Sequence, residues 1–195
     1  GQYISVKNFY RDSVADCNKN SPYENVSNKT LYKTKFNLIY PINVARNIAR
    51  TKAQTHFVLA SDIELYPSIN LIPKFLRMIW QQRQVFEDKL QKVFVLPVFE
   101  VLENESVPVD KTMLQYMVKT ERAFYFHKHI CSPCHSIPNE TQWLQLKEAN
   151  ELNVFAVTKR HGIHNKWEAF YIGTHENPLF DERLSWEGQS NKMTQ

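Results

Sequence analysis

The chain alternates between segments of helical and of strand-like hydrophobic spacing. Residues 40–55 have the helical kind, with Pro41 in the first turn, where its missing N–H is no loss. The apolar residues of this segment form one stripe, which consists of Ile42, Ala45, Ile48 and Ala49. The polar residues fall on the other side of the helix, and they are Asn43, Arg46, Asn47 and Arg50. The pattern predicts an amphipathic helix whose polar side is either a solvated face or a functional one.

A short apolar run at residues 56–61 (HFVLAS) follows this helix without polar alternation. Such a run indicates a strand buried on both faces, as in a parallel sheet covered by helices. The run ends at Asp62 and Glu64, and ligands of open parallel sheets sit beyond the carboxyl ends of the strands. Two carboxylates one residue apart can converge on one point, where their oxygens suit Mg²⁺ or Mn²⁺. The alternative is an ordinary polar exit from a strand.

The middle of the chain repeats this order of helix and strand. A helix is expected at residues 68–92, where apolar residues recur at helical spacing. A strand is expected at residues 93–101, and Pro97 predicts a bulge or an edge position there because proline cannot donate to a ladder. Asp110 is a suitable N-cap for a further helix that runs to about Lys119.

The two ends of the chain are less regular. Residues 11–35 are polar and predict a loop or an insertion. Residues 154–157 and 170–172 have the alternation of two more strands. Helices that alternate with strands indicate a single α/β domain rather than a β-sandwich or a helical bundle.

Glycine is scarce, since four occur where average usage would give roughly fourteen. The Walker A loop and the Rossmann G-x-G-x-x-G turn both need clustered glycines, so the chain contains neither of them. We therefore expect side chains, and not a glycine loop, to hold any nucleotide.

The charge pattern disfavours nucleic acid as a partner. Twenty-four Lys and Arg against 20 Asp and Glu give a net charge of +4, and no five consecutive residues carry the same charge. A nucleic-acid-binding domain would have to use Phe124, Tyr125 and Phe126 with Lys128, but these aromatic residues are not interleaved with a basic stripe. We expect no nucleic-acid partner.

Glycosylation sequons favour a secreted or luminal protein. Four N-x-[ST] sequons occur, at Asn25, Asn28, Asn104 and Asn139. The chain has neither the run of about 18 apolar residues that spans a membrane nor the pattern of a signal peptide. Its first residues (GQYISVKNFY) have the character of the middle of a longer chain. We therefore expect any membrane anchor to lie outside this sequence.

Residues 127–135 (HKHICSPCH) concentrate three histidines and two cysteines. Three interpretations are open: a C-x-x-C-H haem attachment, a zinc site, or a structural turn whose thiols are oxidised or paired elsewhere. A haem would need a second axial ligand and an apolar pocket, and a zinc site would need a second ligand pair. We favour the structural turn, because Pro133 separates the two thiols and no such second pair is evident.

Several motifs occur in a characteristic order within residues 36–195. They are YPINVARNIAR at 40–50, DIELYPS at 62–68, LPVFE at 96–100, C-x-x-C-H before Trp143, WEAFY at 167–171 and FDER at 180–183. This set closely resembles the glycosyltransferase family of the β-1,4-glucuronyltransferases that prime the matriglycan of dystroglycan. The glucuronyl-transferring half of the bifunctional LARGE-type enzymes is similar in the same way.

The resemblance implies a GT-A fold, a Rossmann-like α/β sheet that binds a UDP-sugar through a divalent metal at a D-x-D motif. It implies Mn²⁺ or Mg²⁺ as cofactor, which grips the diphosphate in place of a glycine loop. Members are type II Golgi membrane proteins whose catalytic part faces the lumen, so the implied acceptor is a glycan or glycoprotein. Against the family pattern, Glu64 replaces the second Asp. The chain is also expected to be incomplete at both ends, without the carboxyl-terminal histidine that commonly completes the metal site.

The implied reaction is an inverting transfer, in which a carboxylate takes the proton of the acceptor hydroxyl and a metal stabilises the leaving diphosphate. UDP-glucuronate is one candidate donor. The residues expected to act are Asp62 and Glu64 on the metal, Asn43, Arg46, Arg50 and Asp62 near the donor, Asp181 and Glu182 as candidate bases, and Trp167 and Glu168 at the acceptor.

Each of these roles has an alternative in which the side chain serves only the fold. In these alternatives Asn43 and Arg46 tie the helix to nearby loops, Asp181 or Glu182 pairs with Arg183, and Trp167 belongs to the core. A second function is open as well: a catalytically degenerate family member in which Glu64 marks the loss of activity while binding of a glycan or partner persists.

Overall fold

The computed structural model describes residues 18–20, 24–86, 91–188 and 190–192. The chain divides into two compact units, residues 1–39 and residues 40–195. Within the described ranges, no helix combines the length and the apolar character that a membrane span requires.

The first unit contains short helices in the segment predicted to be a polar loop. A 3₁₀-helix at Asn28–Thr30 precedes α1 at Tyr32–Lys35, and neither buries a residue. Residues 11–17 and 21–23 of the predicted loop lie outside the described part of the chain. The described part of this loop is therefore locally helical but fully solvated.

The second unit mixes helices with short strands. Its described helices are α2 (Ile42–Lys52), α3 (Leu71–Gln81), α4 (Arg83–Phe86), α5 (Lys111–Lys119), α6 (Lys128–His135) and α7 (Glu140–Gln145). Its strands are β1 (Phe57–Leu59), β2 (Phe94–Val95), β3 (Phe99–Val101), β4 (Ala123–Tyr125) and β5 (Tyr171–Thr174). Further 3₁₀-helices lie at Gly162–Lys166 and Trp186–Gly188. The mixture of helix and sheet agrees with the predicted α/β class.

The strands form two small antiparallel sheets. The first has the order β1-β5-β2, with Val58 opposite Gly173 and Phe94 opposite Ile172. The second pairs β3 with β4, with Glu100 opposite Phe124. The expectation of parallel pairing around β1 was wrong, because β5 returns from far along the chain and pairs between β1 and β2. Those two strands still run in the same direction, since each is antiparallel to β5.

The predicted strand at residues 93–101 is broken at Pro97 into β2 and β3, which belong to different sheets. The flanking backbone is still paired, since Leu96 donates to the Phe170 carbonyl at 2.8 Å and Val98 accepts from Phe126 at 3.2 Å. Proline has no N–H to give to a ladder. The bulge or edge position expected at Pro97 within one strand was therefore wrong, because the strand ends before Pro97 and the chain enters a second sheet after it.

Helix boundaries follow local chemistry where a clear signal exists. The Asp110 cap is confirmed, because its Oδ1 accepts from the Met113 backbone N–H at 2.7 Å at the start of α5. The helix expected at residues 68–92 is divided at Gln82 into α3 and α4, and residues 87–90 lie outside the described residues. The strand expected at 154–157 was wrong, because residues 152–159 are irregular.

Each sheet has its own hydrophobic cluster. Phe75, Met78 and Ile172 are buried against the first sheet, where the Phe75 ring meets Phe57 and Phe94 edge-to-face at 5.0 and 5.2 Å. Around the second sheet the buried residues are Leu114, Met117 and Ala123. No residue of β1 is fully buried, since Phe57 and Val58 are half-buried and Leu59 is exposed, so the prediction that this strand is buried on both faces was wrong.

Candidate functional site

The helix α2 is inverted relative to its hydrophobic pattern. Its polar side is buried, with exposures of 0% for Asn43, 8% for Arg46, 4% for Asn47 and 5% for Arg50. The apolar stripe faces outward instead, and Ile48 is 57% exposed. A solvated polar face is therefore excluded, and the polar side chains form the interior contact of this helix.

The partner of α2 is the chain at residues 174–188 and 190–191, which is largely irregular apart from the 3₁₀-helix at Trp186–Gly188. Asn47 bonds both backbone groups of Phe180, donating to its carbonyl at 2.9 Å and accepting from its N–H at 2.9 Å. Arg50 donates to the carbonyls of Pro178 and Asn177 at 2.7 and 3.0 Å. A segment without regular secondary structure cannot satisfy its own backbone groups when buried, so polar side chains have to do it. This is why the polar side of α2 points inward.

The Asp62 side chain lies between two cations just beyond β1. Arg46 Nη2 donates to Oδ1 at 2.7 Å, and Lys192 Nζ lies 3.0 Å from Oδ2. Burial by itself would raise the pKa of Asp62. The Lys192 charge and the hydrogen bonds from Arg46 and Lys192 outweigh that effect and hold the pKa below its usual range. Asp62 is therefore an ionised carboxylate with little exposed surface.

The Arg46 guanidinium connects Asp62 to the end of the described chain. Besides Asp62, it donates to Asn43 Oδ1 at 3.1 Å and to Asn191 Oδ1. Asn43 in turn donates to the carbonyls of Asp181 and Asn191 at 2.8 and 2.9 Å. The alternative in which Asn43 and Arg46 tie the helix to loops thus has direct geometric support, and the predicted contacts of Asn43, Arg46 and Arg50 with a donor remain predictions.

Glu64 differs sharply from Asp62. It is exposed in the turn after β1, and no hydrogen bond or ion pair joins its side chain to another described residue. The two predicted metal ligands are therefore close in sequence but unequal, one being buried and paired and the other solvated.

The pair is chemically suited to a divalent cation. Both groups supply hard carboxylate oxygens, and Lys192 shows that a positive charge is already accommodated beside Asp62 Oδ2. Among the described residues, no three His, Cys, Asp or Glu side chains form a group that could hold a metal. Asp62 and Glu64 could hold a cation together with ligands from elsewhere, such as phosphate oxygens or water.

The two candidate bases lie beside the polar side of α2. Asp181 accepts from Arg183 Nε at 2.9 Å, and this contact lowers the pKa of Asp181 to about 2. Glu182 Oε1 accepts from Asn47 Nδ2 at 3.0 Å. The structural alternative for Asp181, pairing with Arg183, is therefore present in the structure, whereas Glu182 pairs with a neutral amide.

The predicted acceptor residues are both buried. Trp167 packs against His164 with ring centroids 5.0 Å apart, and neither Trp167 Nε1 nor His164 Nδ1 has a described hydrogen-bond partner. The Glu168 backbone N–H donates to the Cys134 carbonyl at 2.7 Å, and its carbonyl accepts from His135 Nδ1 at 2.9 Å. This segment is thus joined to α6, and a contact with an acceptor remains a prediction.

The cysteine–histidine segment forms the kinked helix α6. A disulfide joins Cys131 to Cys134, so the favoured interpretation as a turn with an oxidised thiol pair is confirmed and neither thiol is available to zinc. Burial, with the neighbouring charges of His127 and Lys192, lowers the pKa of His135 to about 4. His135 is therefore neutral at physiological pH, and its Nδ1–H donates a hydrogen bond to the Glu168 carbonyl.

A cavity of about 340 Å³ borders the site between α2 and β1. Its lining residues come from the two elements and the loop between them: Arg46, Ala49, Arg50, Ala53, Thr55 and residues 57–61. The volume falls within the range of about 300–1,000 Å³ that is usual for small-molecule sites. The cavity reaches Ser61, the residue before Asp62.

The comparison with known proteins agrees with the motifs. A family model described as "Glycosyl-transferase for dystroglycan" matches residues 2–195. The chain belongs to this family. The resemblance inferred from the motif order is thereby confirmed.

Several relatives carry glucuronyltransferase names. The chain is 30% identical to β-1,4-glucuronyltransferase 1 of Danio rerio over 164 residues and 31% identical to that of Homo sapiens over 166 residues. Each alignment covers 84% of this chain and 37% of the relative. The xylosyl- and glucuronyltransferase LARGE1 of Mus musculus is 30% identical over 121 residues, which are 62% of this chain and 15% of the relative. The chain therefore spans little more than a third of the glucuronyltransferases that it matches over most of its length.

Sequence reasoning missed the residues that complete the Asp62 network. Asn191 and Lys192 lie in an irregular stretch where no periodicity marks a buried position. The residues next to them in sequence also show no charge pattern that would indicate a binding site. The only signal available was the excess of polar residues in α2. If that side of the helix is buried, its polar groups need hydrogen-bond partners from another part of the chain.

Proposed function

We propose that this member of the dystroglycan glycosyltransferase family belongs to an enzyme that transfers a sugar from a UDP-sugar to a hydroxyl of a glycan acceptor, with inversion. Glucuronate is the candidate sugar, because the relatives matched over most of the chain are named glucuronyltransferases. Mn²⁺ or Mg²⁺ is the proposed cofactor, held by Asp62 and Glu64. When bound, such an ion acts as a Lewis acid that stabilises charge on the leaving diphosphate.

The observation that carries this proposal is the ionised Asp62 at the exit of β1. A carboxylate this buried is costly unless cations surround it, and the protein devotes Arg46 and Lys192 to it. Arg46 also lines the cavity between α2 and β1, and this cavity extends to Ser61, the residue before Asp62. The position therefore supports a role in holding a positively charged group together with the donor.

The proton of the acceptor hydroxyl needs a carboxylate, and Glu182 is the better of the two candidates. Arg183 bonds both oxygens of Asp181 and so weakens it as a base. Glu182 is exposed and is held at Oε1 by the Asn47 amide, so its orientation is fixed without a neutralising charge. We propose Glu182 as the base, with Trp167 and Glu168 on the acceptor side.

The test is a screen of UDP-sugars with the full-length protein, in Mn²⁺, in Mg²⁺ and in EDTA, in which released UDP is measured. Asp62→Asn is expected to abolish metal-dependent release, and because it leaves Arg46 and Lys192 without their carboxylate it should lower the melting temperature while the protein stays folded. Glu64→Asp is expected to preserve metal-dependent release. Glu103→Gln, in an exposed turn, is the matched control and should behave as wild type. Unfolding of Asp62→Asn, with no Mn²⁺ or UDP binding by the wild type, would overturn the proposal.

A second candidate function rests on a specific observation. The two cations on Asp62 already neutralise it, and Glu64 has no described side-chain partner. A degenerate member that binds a glycan or a partner without catalysis would have the same appearance. Metal-independent UDP binding by the full-length protein, with no turnover of any UDP-sugar, would favour this candidate over the transferase.

We further propose that the protein works in the Golgi lumen as a type II membrane protein whose anchor lies outside this chain. The asparagines of all four sequons are exposed, and the Cys131–Cys134 disulfide suits an oxidising compartment. Protein expressed in animal cells should lose mass on treatment with an N-glycosidase. An unchanged mass would remove the support that the sequons lend.

A further inference from the structure

The two cations that hold Asp62 are not equally fixed. The two side chains are almost equally buried, with exposures of 8% for Arg46 and 12% for Lys192, but Arg46 donates to three acceptors, which are Asp62, Asn43 and Asn191. Lys192 has one described ion pair, 3.0 Å from Asp62 Oδ2, and its ammonium lies 4.3 Å from the centre of the Phe170 ring.

This difference decides which cation can move. Releasing Arg46 would break its bonds to Asn43 and Asn191 and disturb the contact between α2 and the end of the chain. Releasing Lys192 breaks one ion pair and the contact of its ammonium with the Phe170 ring, and its flexible four-carbon stem allows the ammonium to move without disturbing the backbone. A change of charge at Asp62 Oδ2 would therefore displace Lys192 and leave Arg46 in place.

We propose that Lys192 is a donor-binding residue that occupies Asp62 Oδ2 while the site is empty and turns to the diphosphate of the UDP-sugar when a divalent cation takes its place. This inference rests on the proposed function. Arg46 donates to Asp62 Oδ1 both with and without ligands, so the orientation of the carboxylate does not change.

Electrostatics supports this exchange. Asp62 and Glu64 together balance Arg46 and Lys192, so the site without ligands is close to neutral. A divalent cation and a diphosphate carry opposite charges of similar size and preserve that balance. An ammonium left beside the same carboxylate oxygen as a divalent cation would be repelled, and the nearest new anion would be the diphosphate.

The test uses Lys192→Met in the full-length protein, because methionine keeps an unbranched side chain and removes the charge. Titration calorimetry measures two affinities: that for Mn²⁺ alone, and that for UDP at saturating Mn²⁺. The affinity for Mn²⁺ alone should rise about tenfold because a competitor is gone, and the affinity for UDP should fall about tenfold. Lys192→Arg should restore UDP binding, and Lys119→Met, exposed at the end of α5, is the matched control.

Opposite changes in the two affinities support the inference, because a purely structural role would weaken both together. A parallel loss of both affinities with a lower melting temperature overturns it, as does a Lys192→Met variant that binds both ligands like wild type. In those cases the proposed function survives if the wild type binds Mn²⁺ and UDP. A wild type that binds neither overturns the proposed function, and this inference with it.

Discussion

The helices α2 and α5 are both amphipathic, yet they bury opposite kinds of side chain. In α5 the apolar residues Leu114 and Met117 face the β3–β4 sheet, as its pattern predicts. In α2 the buried residues are two asparagines and two arginines, and Ile48 faces outward. The difference lies in what each helix packs against: an apolar sheet face in one case, and in the other a chain whose carbonyls accept hydrogen bonds from the side chains of α2.

The comparison shows that amphipathicity defines two faces without saying which one is inside. A sheet satisfies its own backbone groups, so it offers an apolar surface to α5. The chain at residues 174–188 and 190–191 satisfies only some of its own backbone groups, so α2 offers hydrogen bonds to the others. The two interfaces should therefore fail in different ways when they are mutated.

The largest effect is expected from Arg46→Met. It would leave Asp62 with one cation and deprive Asn43 and Asn191 of a donor, and loss of one partner from a buried charge pair costs about 3–5 kcal/mol. Urea denaturation measures the free energy of unfolding. The control is Ile48→Gln on the exposed side of the same helix, which should change it by no more than about 0.5 kcal/mol. Equal losses for both variants would mean that α2 is not inverted.

The corresponding change in α5 is Met117→Ala, at a position with no exposed surface. Removing this side chain leaves a cavity against Ala123 and should cost about 2–4 kcal/mol in the same denaturation measurement. Lys119→Ala, exposed on the same helix, should be close to neutral. A smaller loss for Met117→Ala than for the lysine variant would contradict the assignment of the α5 core face.

The third prediction is a dependence of stability on pH that arises from His135 in α6. Its folded pKa of about 4 lies below the ordinary value of 6.5, so the unfolded chain takes up the proton first. The stability contributed by neutral His135 is complete above pH 6.5 and is lost as the pH falls towards 4. After allowance for solvent screening, the loss should be about 1–2 kcal/mol.

His135→Asn keeps a donor for the Glu168 carbonyl and should flatten the stability profile between pH 6.5 and pH 4. His161→Asn, in an exposed position, should leave the profile unchanged and serves as control. Thermal unfolding across this range measures both variants. A profile that stays as steep in His135→Asn as in wild type would assign the pH dependence to other groups.

The smallest effect is expected at the helix ends, where α5 has a side-chain cap and α2 has none. Asp110→Ala removes the bond to the Met113 N–H and should cost about 1 kcal/mol. Asp110→Asn retains an acceptor and should lose only a few tenths. If the two variants lose equal amounts in urea denaturation, the cap bond is not what stabilises this end.

Local chemistry was sufficient to predict several features. Asp110 was identified as a cap because its side chain can reach an N–H three residues later. An irregularity of the strand was expected at Pro97 because proline has no N–H to donate, although its form, a change of sheet, was not. The order of the motifs was sufficient to predict the family. The spacing of Asp62 and Glu64 was sufficient to predict a pair of carboxylates at the end of β1. All of these are properties of residues close together along the chain.

What only the tertiary structure decided is how distant segments meet. The return of β5 between β1 and β2 made the sheet antiparallel, and the approach of the chain before Lys192 turned the polar side of α2 inward. Asp62 acquired its partners in the same way, one sixteen residues before it in sequence and one from the far end of the chain. Periodicity reports only that two faces of an element differ. Which face is buried depends on the hydrogen-bonding needs of the segment that packs against it, and that segment is chosen by the whole fold.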